Sequence, residues 1–371
     1  MKKNVIFLMV SILFFLTSCV GSSDRNSTRE LSYSWSTLRL STKGNSLGAS
    51  NRAILYLDDS TEYYSIYNEV NSTLLLFNLD SNRFESRVSF FSSGSNKVDF
   101  LSEYGIFDDI IWNMSSEGLC KINFRGEIES CYQPQDLCSS VSSLIRFQPK
   151  GVVFGNNIRM YSINRDDPRL VLRTFNYDNT TSSFYSNPVF IDYNLRTGNG
   201  ICHSVKYPDE LNSNYYASLE LPNIIVKGDS IIYNFPFVAS VFIYSKKNKT
   251  TVRKDFNAKY IEQVIPGKDI ALRGDVNTIF SFMDCEMYHQ IDYDPYRNLF
   301  YMVYSQAKQD DSPKNRYLIV FNPQLEKIGE LELEQSMSPE YAISQKGLLF
   351  RNVKEESFDT LTLHVLSVEV E

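Results

Sequence analysis

The sequence predicts an all-β protein, namely a β-propeller of six four-stranded blades, and three observations lead to that prediction. Residues 291–333 contain four short strand-like runs separated by three turn signals, which is the pattern of one propeller blade. A similar hairpin recurs along the chain. The aromatic residues are mostly Tyr (24) and Phe (25), which favour strands, and the sequence shows no long helical period.

The blade-like stretch alternates strands with polar turns. Its runs and turns are, in order, 291–293, the turn 294–298, 299–304, a polar gap, 317–321, the turn 322–326 and 327–333. Such a unit has four antiparallel strands that are joined by short connections.

The repeated hairpin is marked by one residue, an Asn or a Ser that follows an apolar run and precedes a polar turn. Side chains of this kind bond to nearby backbone at the start of turns. The markers are Asn78, Asn123, Asn176, Ser245 and Asn322. A blade without insertions takes about 40–50 residues, so the early units are compact and the later ones carry inserted loops. Their mean spacing predicts about six blades in the body of the chain.

The ends of the chain are predicted to close the ring. Residues 31–41 alternate like a strand but lack a hairpin partner, and we expect them to pair with strands within 360–370, which removes an open sheet edge. The pattern leaves open a two-sheet sandwich or separate β domains. The more conspicuous insertions are 206–220 and 306–316.

The first residues have the organisation of a targeting segment. A short basic region is followed by an apolar run over 5–16 and by Leu16-Thr17-Ser18-Cys19. The last four residues look like the lipobox of bacterial lipoproteins, which implies cleavage before Cys19 and acylation of Cys19 as the lipid attachment site. An ordinary secretory signal with an incidental cysteine is the alternative. We therefore expect a lipoprotein signal peptide over 1–18, a flexible tether over 19–30 and the propeller over 31–371.

Charge excludes one class of partner. The chain has 37 basic and 44 acidic residues, and loss of the signal peptide removes Lys2 and Lys3. An acidic, extracytoplasmic protein without a basic cluster is a poor candidate for binding nucleic acid.

The cysteines pose a question of strand register. Six are present, and five remain if Cys19 is acylated, so at least one is free or pairs outside the chain. A type I turn with Gly126 in the left-handed conformation sets Ile122 opposite Ile128 and leaves Cys131 out of line with Cys120. A two-residue turn aligns the cysteines but sets Ile122 against an acidic residue. We prefer the first register, and we predict no Cys120–Cys131 bridge and buried free thiols for most of the cysteines.

Motifs for chemistry are scarce. The stretch 284–289 looks metal-like, but on a strand Cys285 and His289 share a face and Glu286 lies on the other, so we expect a buried cysteine and a hydrogen-bonded histidine rather than a chelate. His203 and His364 have no obvious partners. We assign no catalytic, cofactor-binding or metal-binding residue.

Two further patterns in the sequence could serve glycan chemistry. Adjacent acids could supply an acid/base pair, but acids next to each other on a turn usually point apart into solvent. Tyrosine pairs could stack on sugars, but core packing is the commoner role. The acid pairs are Asp108-Asp109, Asp166-Asp167 and Asp310-Asp311, and the tyrosine pairs are Tyr63-Tyr64 and Tyr215-Tyr216.

The step Asp294-Pro295-Tyr296-Arg297-Asn298-Leu299-Phe300-Tyr301, together with the lipobox and the repeats, resembles lipoproteins of unknown function from gut Bacteroidetes, the domain of unknown function 4221 type. The resemblance covers most of the mature chain. It implies an envelope location and a six-bladed propeller, and it implies no reaction.

The sequence thus favours a membrane-anchored extracytoplasmic lipoprotein, in the outer membrane, that acts as a binding or scaffolding propeller for a protein or glycan partner. Whether it faces the periplasm or the surface stays open. The alternative is a glycan-active propeller enzyme, a hydrolase or lyase, in which carboxylates from at least two blades meet at the mouth of the channel.

Overall fold

A computed structural model describes residues 31–370 except for several short segments, namely 48–52, 59–60, 92–97, 99–100, 102–103, 116–117, 141–144, 148–157, 162–168, 177–188, 260–266, 273–274, 283–284, 308–313 and 358. Cys19, the predicted signal peptide and the predicted tether therefore lie outside the described residues, as do the acid pairs 166–167 and 310–311. None of the helices in the described part combines the length and apolarity that a membrane crossing needs.

The described residues are almost entirely β-structure. The strands are β1 (Leu31–Ser41), β2 (Ala53–Asp58), β3 (Thr61–Asn68), β4 (Thr73–Asn78), β5 (Arg83–Ser89), β6 (Tyr104–Phe107), β7 (Ile110–Ser115), β8 (Gly118–Asn123), β9 (Ile128–Tyr132), β10 (Ile145–Phe147), β11 (Ile158–Tyr161), β12 (Arg169–Asn176), β13 (Val189–Asn194), β14 (Asn199–Ser204), β15 (Asn214–Tyr215), β16 (Asn223–Lys227), β17 (Ser230–Asn234), β18 (Ser240–Ser245), β19 (Thr250–Asp255), β20 (Lys268–Asp269), β21 (Met287–Asp294), β22 (Leu299–Ser305), β23 (Arg316–Phe321), β24 (Lys327–Leu333), β25 (Tyr341–Ser344), β26 (Gly347–Arg351) and β27 (Thr360–Val370).

The helices of the described part are short and lie in connections. They are α1 (Pro134–Leu137), α2 (Val276–Ser281) and the 3-10 turns Asp209–Asn212, Ala217–Glu220, Ile270–Leu272 and Val353–Glu355.

The strands form antiparallel units of consecutive strands. Three are four-stranded sheets with the orders β6-β7-β8-β9, β16-β17-β18-β19 and β21-β22-β23-β24. In a further unit, β10-β12-β13-β14, the short β11 pairs with β12 beside β10, so two short strands share the first position. An eight-stranded sheet has the order β2-β3-β4-β5-β1-β27-β26-β25. This is a propeller-like arrangement, as the sequence predicts.

The N-terminal strand pairs with the C-terminal strand. β1 lies antiparallel to β27 over its whole length, from Leu31 opposite Val370 to Ser41 opposite Thr360. The predicted pairing of 31–41 with 360–370 is confirmed. Among the described residues, the strands of the closing unit, β25-β26-β27-β1, pair with the β2–β5 unit only at a parallel bridge between Ser41 and Arg83.

The hydrophobic core lies between neighbouring units rather than within one sheet. Each cluster of buried apolar side chains combines two neighbouring units, and one of them also includes Met287 of a third unit. Each fully buried large side chain contributes about 1.5–3 kcal/mol of stability. Pairs that share one cluster are Leu75 with Leu363, Leu76 with Ile111, Trp112 with Tyr193, Phe190 with Tyr233, Ile232 with Ile291, and Tyr301 with Phe350.

The units have two distinct ends. At one, here called the turn end, tight turns join first to second strands and third to fourth strands; examples are 228–229, 295–298 and 246–249. At the other, here called the loop end, first strands begin and second strands end. The long connections 205–222, 256–286 and 306–315 join strands at the loop end.

The markers occupy the predicted turns with one exception. The Oδ1 atoms of Asn78, Asn123 and Asn322 each accept hydrogen bonds from backbone N–H groups two to four residues later. Ser245 Oγ accepts from the N–H of Asn248. Asn78, Asn123 and Ser245 end the third strand of their unit, and Asn322 directly follows it. Asn176 ends the second strand of its unit, so its assignment as an equivalent marker was wrong.

The residue equivalent to these markers is Asn194, which ends β13. Its Oδ1 accepts from the N–H groups of Arg196 and Thr197 and starts the turn 195–198. The apolar run before Asn176 resembles in composition the runs that precede the other markers, and this explains why Asn176 was assigned in place of Asn194.

The cysteine prediction was also wrong. Cys120 is bonded to Cys131, and Cys138 to Cys202, while Cys285 forms no disulfide with any described cysteine. The predicted turn is present, because Gly126 has φ 79° and Ile122 lies opposite Ile128.

A β-bulge accounts for the difference. The ladder shifts between Ile122 and Lys121, where Glu129 is the extra residue, so Lys121 faces Ser130 and Cys120 faces Cys131. Lys121 still reaches Glu129 in a 2.9 Å ion pair. The bulge thus satisfies the apolar pair, the charge pair and the disulfide together.

Candidate functional site

The turn over residues 294–298 is built around a buried carboxylate. Asp294 has no exposed surface, and its Oδ1 accepts hydrogen bonds from the N–H groups of Tyr296 (2.9 Å) and Arg297 (3.1 Å). Asn298 closes the turn with φ 54°, a left-handed conformation that Asn tolerates better than most residues. The Asp-Pro-x-Arg-Asn order therefore specifies a rigid turn.

Arg297 links this turn to the closing unit. Its Nη1 donates to Asp294 Oδ2 (3.0 Å) and to the carbonyl oxygen of Ser344 (3.2 Å), and its Nη2 donates to the carbonyl oxygen of Gln345 (2.9 Å). The guanidinium thus spans the gap between the first turns of two neighbouring units.

Tyr296 extends the same cluster to a further unit. Its hydroxyl donates to Glu62 Oε1 (2.8 Å), and the N–H of Gln345 donates to the same carboxylate (2.9 Å). Glu62 is 2% exposed, and this burial raises the pKa of its carboxyl group. Burial, followed by the hydrogen bond to Glu62, raises the pKa of Tyr296.

Two carboxylates from different units, Glu62 and Asp294, are therefore brought into one cluster at the turn end. Each of their four oxygen atoms already accepts a hydrogen bond from the protein. A glycosidase pair needs carboxyl groups that flank a substrate and exchange protons with it. This cluster instead joins three units, and its chemistry is that of a structural clamp.

The loop end carries a second polar group of residues, here called the loop-end track. Arg173 Nη1 donates to the carbonyl oxygen of Pro222 (2.6 Å), which links β12 to the start of β16. Asn234 Nδ2 donates to the carbonyl oxygen of His289 (2.9 Å), and its Oδ1 accepts from the N–H of Ile291 (3.1 Å). The track therefore crosses three successive units.

A bulge in β21 positions His289. The ladder with β22 is irregular between Tyr288 and Ile291, and the amide of Asn234 holds the backbone of the bulge. The imidazole Nε2 of His289 lies 2.8 Å from the Oγ of Ser305, a buried residue at the end of β22. A hydroxyl and an imidazole at this distance have the spacing of a nucleophile and its base.

The electrostatics of the pair do not suit nucleophilic catalysis. Burial, followed by the charges of Arg316 and Lys314, lowers the pKa of His289 to about 3. A catalytic base of this type is usually supported by a carboxylate that stabilises its protonated form. Two cations have the opposite effect, so His289 stays neutral and offers hydrogen bonds.

The metal-like stretch does not assemble. Cys285 Sγ donates to the carbonyl oxygen of Ser281 (3.2 Å), whereas His289 contacts Ser305. Within the described ranges, no group of three His, Cys, Asp or Glu side chains could hold a metal ion.

The other histidines have partners that the sequence did not reveal. His203 lies at the edge of a buried ion cluster in which Arg169 and Lys246 contact Asp192, and burial lowers the pKa of His203. His364 lies 3.3 Å from Glu355 in the connection after β26. The cluster around Asp192 joins two units, whereas the contact of His364 is local, between β27 and the connection that precedes it.

The aromatic and acidic candidates for glycan binding lie elsewhere. Tyr215 and Tyr216 are buried, and the ring of Tyr216 stacks on Phe237 with centroids 4.0 Å apart. Tyr64 is 1% exposed and Tyr63 is partly buried. These tyrosines therefore belong to the core.

Asp108 and Asp109 are exposed in the turn between β6 and β7, both with positive φ. They are solvated turn residues at the turn end, away from the loop-end track.

The fold and its two polar clusters define a propeller-like all-β protein in which one end is clamped and the other carries the long connections. The model of a domain of unknown function, DUF4221, matches residues 28–332. The chain belongs to this family. A search of curated proteins found no match.

Two solved structures with TM-scores above 0.5 share this fold. A DUF4221 family member from Bacteroides vulgatus has a TM-score of 0.70 at 17% identity, over 93% of this chain and 100% of that one. A Bacteroides fragilis protein whose name proposes that it is exported has a TM-score of 0.52 at 14% identity, over 95% and 98% of the two chains. The β-propeller domain of Cps50 (Swd1) from Myceliophteria thermophila has a TM-score of 0.38 at 7% identity, over 85% and 96%.

Proposed function

We propose that the protein is a lipid-anchored binding propeller of the cell envelope, with six blades, acylated at Cys19 in the outer membrane, that presents its loop end to a protein or glycan partner. The observation that carries this proposal is the position of the first strand. β1 begins at Leu31, opposite Val370, at the turn end of the closing unit. The chain that precedes β1 therefore leaves from the turn end.

Two contacts place the start of β1 at that end. A Cβ built on Gly329, near the turn that starts β24, would meet the side chain of Leu31. Ser367 Oγ, opposite Ser34, donates to the carbonyl oxygen of Lys346 in the turn between β25 and β26. A tether of residues 19–30 would span at most about 40 Å, which holds the turn end close to the membrane.

An extracytoplasmic location is supported by the cysteines. Cys120–Cys131 and Cys138–Cys202 are both bridged, and disulfides persist mainly in oxidising compartments such as the periplasm. The name of the Bacteroides fragilis relative, which proposes export, points the same way.

A count of six blades is supported by the eight-stranded sheet. Its halves, β2-β3-β4-β5 and β25-β26-β27-β1, meet at a single bridge and share the buried cluster of Leu75 and Leu363, as separate neighbouring blades would. Counting them as two units gives six with the β10–β14 unit and the three four-stranded sheets, whereas the two-stranded β15-β20 sheet belongs to the connections. Each unit packs on the next through one buried cluster.

Binding rather than catalysis is favoured by the clusters themselves. The two carboxylates at the turn end already accept hydrogen bonds from the fold, and His289 is flanked by cations. The loop-end track, with His289 and Ser305, combines a guanidinium, a side-chain amide, a neutral imidazole and a hydroxyl, which are groups that bind polar ligands.

Lysine footprinting of the lipidated protein in vesicles tests the orientation. Lys247, Lys249 and Lys346 are exposed at the turn end, whereas Lys206 and Lys354 are exposed at the loop end. We expect acetylation of the first three to fall several-fold relative to the soluble Cys19→Ala variant, and acetylation of the other two to stay unchanged. Protection of the loop-end lysines instead would contradict the proposal.

A further inference from the structure

Arg316, at the loop end, lacks an anionic partner among the described residues. It begins β23, directly opposite Ser305 in the ladder, and is partly buried. Its Nη1 donates to the carbonyl oxygen of Met337, but its buried Nε has no acceptor in the described part of the chain. A guanidinium is costly to bury unless its charge is paired and its N–H groups are hydrogen-bonded.

Arg351, another arginine of the chain, has the carboxylate partner that Arg316 lacks among the described residues. Arg351 is also buried. Its Nε donates a 2.7 Å hydrogen bond to Oε1 of Glu356, and its Nη2 donates a 2.7 Å hydrogen bond to Oε2 of the same residue. This parallel, two-pronged contact is the strongest arrangement between arginine and a carboxylate. The buried Nε of Arg316 has no such partner, and no described carboxylate forms an ion pair with this guanidinium.

The surroundings of Arg316 favour a negatively charged ligand. His289 is held neutral next to Arg316 and Lys314, so the charged groups that act on the imidazole are all positive. Lys314 Nζ donates to the carbonyl oxygen of Cys285 (2.9 Å) beside the same strand. Ser305 Oγ and His289 Nε2 add neutral hydrogen-bonding groups at 2.8 Å from each other.

We propose that the Nε/Nη2 edge of Arg316, with Ser305 and His289 beside it, binds the carboxylate of a ligand at the loop end. This deepens the proposed function, on which it rests, by naming the chemistry that the loop end recognises. A carboxylate is favoured because its two coplanar oxygens match the two parallel donors and its single charge balances one guanidinium.

Calorimetric titration of the full-length lipidated protein in detergent tests the site with four probes. D-Glucuronate and D-glucose differ in the carboxylate at C6, acetate presents the carboxylate alone, and inorganic phosphate presents another oxyanion. We expect glucuronate and acetate to bind and glucose not to bind. Arg316→Gln should weaken glucuronate binding at least about tenfold, since it removes a charge-assisted pair. Arg316→Lys keeps the positive charge but loses the two parallel N–H donors, so its affinity for glucuronate should lie between those of the wild type and Arg316→Gln.

Controls separate loss of the site from loss of the fold. Arg196→Gln, an exposed arginine in a turn at the opposite end, should bind glucuronate like the wild type, and thermal unfolding checks that both variants fold. Tighter binding of phosphate, no binding of either carboxylate, or an unaffected Arg316→Gln would overturn the proposal.

The chain's own carboxylates are tested directly. If the wild type binds no probe but Asp310→Asn/Asp311→Asn does, Arg316 pairs within its own chain and the proposal is wrong. The lysine footprinting does not depend on these titrations. It therefore tests the proposed membrane orientation independently of the proposed carboxylate site.

Discussion

The hydroxyl of Tyr296 donates a 2.8 Å hydrogen bond to Glu62, a residue 234 positions earlier in the chain. The contact passes beside the turn of the closing unit, whose Gln345 N–H binds the same carboxylate. The β2–β5 unit and the β21–β24 unit are thereby joined by side chains at a place where the sheets themselves are not paired. This clamp supplements the strand pairing between β1 and β27.

Removing that hydroxyl should destabilise the protein. Tyr296→Phe leaves a buried carboxylate with one donor fewer, and we expect the free energy of unfolding to fall by about 1–2 kcal/mol. Tyr293→Phe is the matched control, because its hydroxyl bonds to Asn298 at an exposed position. Urea unfolding of the two variants provides the comparison. Equal effects would show that the clamp contributes nothing of its own.

His289 should make stability depend on pH. The pKa of His289 is lowered to about 3 in the folded protein, while the unfolded chain has a histidine pKa near 6.5. Between these values the unfolded state binds more protons, so stability is lost as the pH falls from about 6.5 towards 3. His289→Gln should lose less stability over this window than the wild type. Urea unfolding at several pH values measures the difference, and parallel curves would contradict the expectation.

The two disulfides should differ in their contribution to stability. Their cysteines are separated by 11 and 64 positions, and cross-links that close longer loops restrict the unfolded chain more. By this argument Cys138→Ala/Cys202→Ala should cost about 1.5 kcal/mol more than Cys120→Ala/Cys131→Ala. Urea unfolding of both double variants under identical conditions tests the order. A larger loss for the shorter loop would reject the entropic account.

The closing strand should be indispensable. Deletion of 31–41 leaves β27 with an unpaired edge, and exposed edges pair with other chains, so we expect aggregation. Deletion of 20–30 removes no described strand and should leave folding unchanged. Size-exclusion chromatography of the two truncated proteins distinguishes these outcomes. A monomeric 31–41 deletion would show that β27 needs no partner.

Acylation of Cys19 is tested by metabolic labelling. Cells given a clickable palmitate should label the wild-type protein, whereas Cys19→Ala should remain unlabelled, because we propose that this cysteine receives the acyl group. Equal labelling of the two proteins would exclude lipidation at this position.

The sequence predicts what depends on local chemistry. The Asn and Ser residues at the starts of turns correctly predicted the ends of four third strands. The absence of a hairpin partner for 31–41 correctly predicted its pairing with 360–370. Asn176 was misassigned because a second strand can end in the same residues as a third strand. Only the pairing of β12 with β13 separates the two cases.

The features that the sequence did not reveal depend on irregular pairing or on distant contacts. One extra residue, Glu129, brings Cys131 opposite Cys120, and no composition rule places such a bulge. The contact of His289 with Ser305 also crosses a bulge. Glu62 and Tyr296 meet only because the first unit and the fifth lie near each other in the folded chain.

The pairing of β1 with β27 also determines how the protein responds to mechanical force. A pull on residues 20–30 acts along the axis of β1, parallel to an eleven-residue ladder with β27. All the hydrogen bonds of that ladder then act at the same time against sliding of β1 along β27, whereas a pull across the strands would break them one after another from an end. In the arrangement that we propose, a ligand held at the loop end and drawn away from the membrane would load β1 in shear, the direction in which a paired strand is hardest to remove.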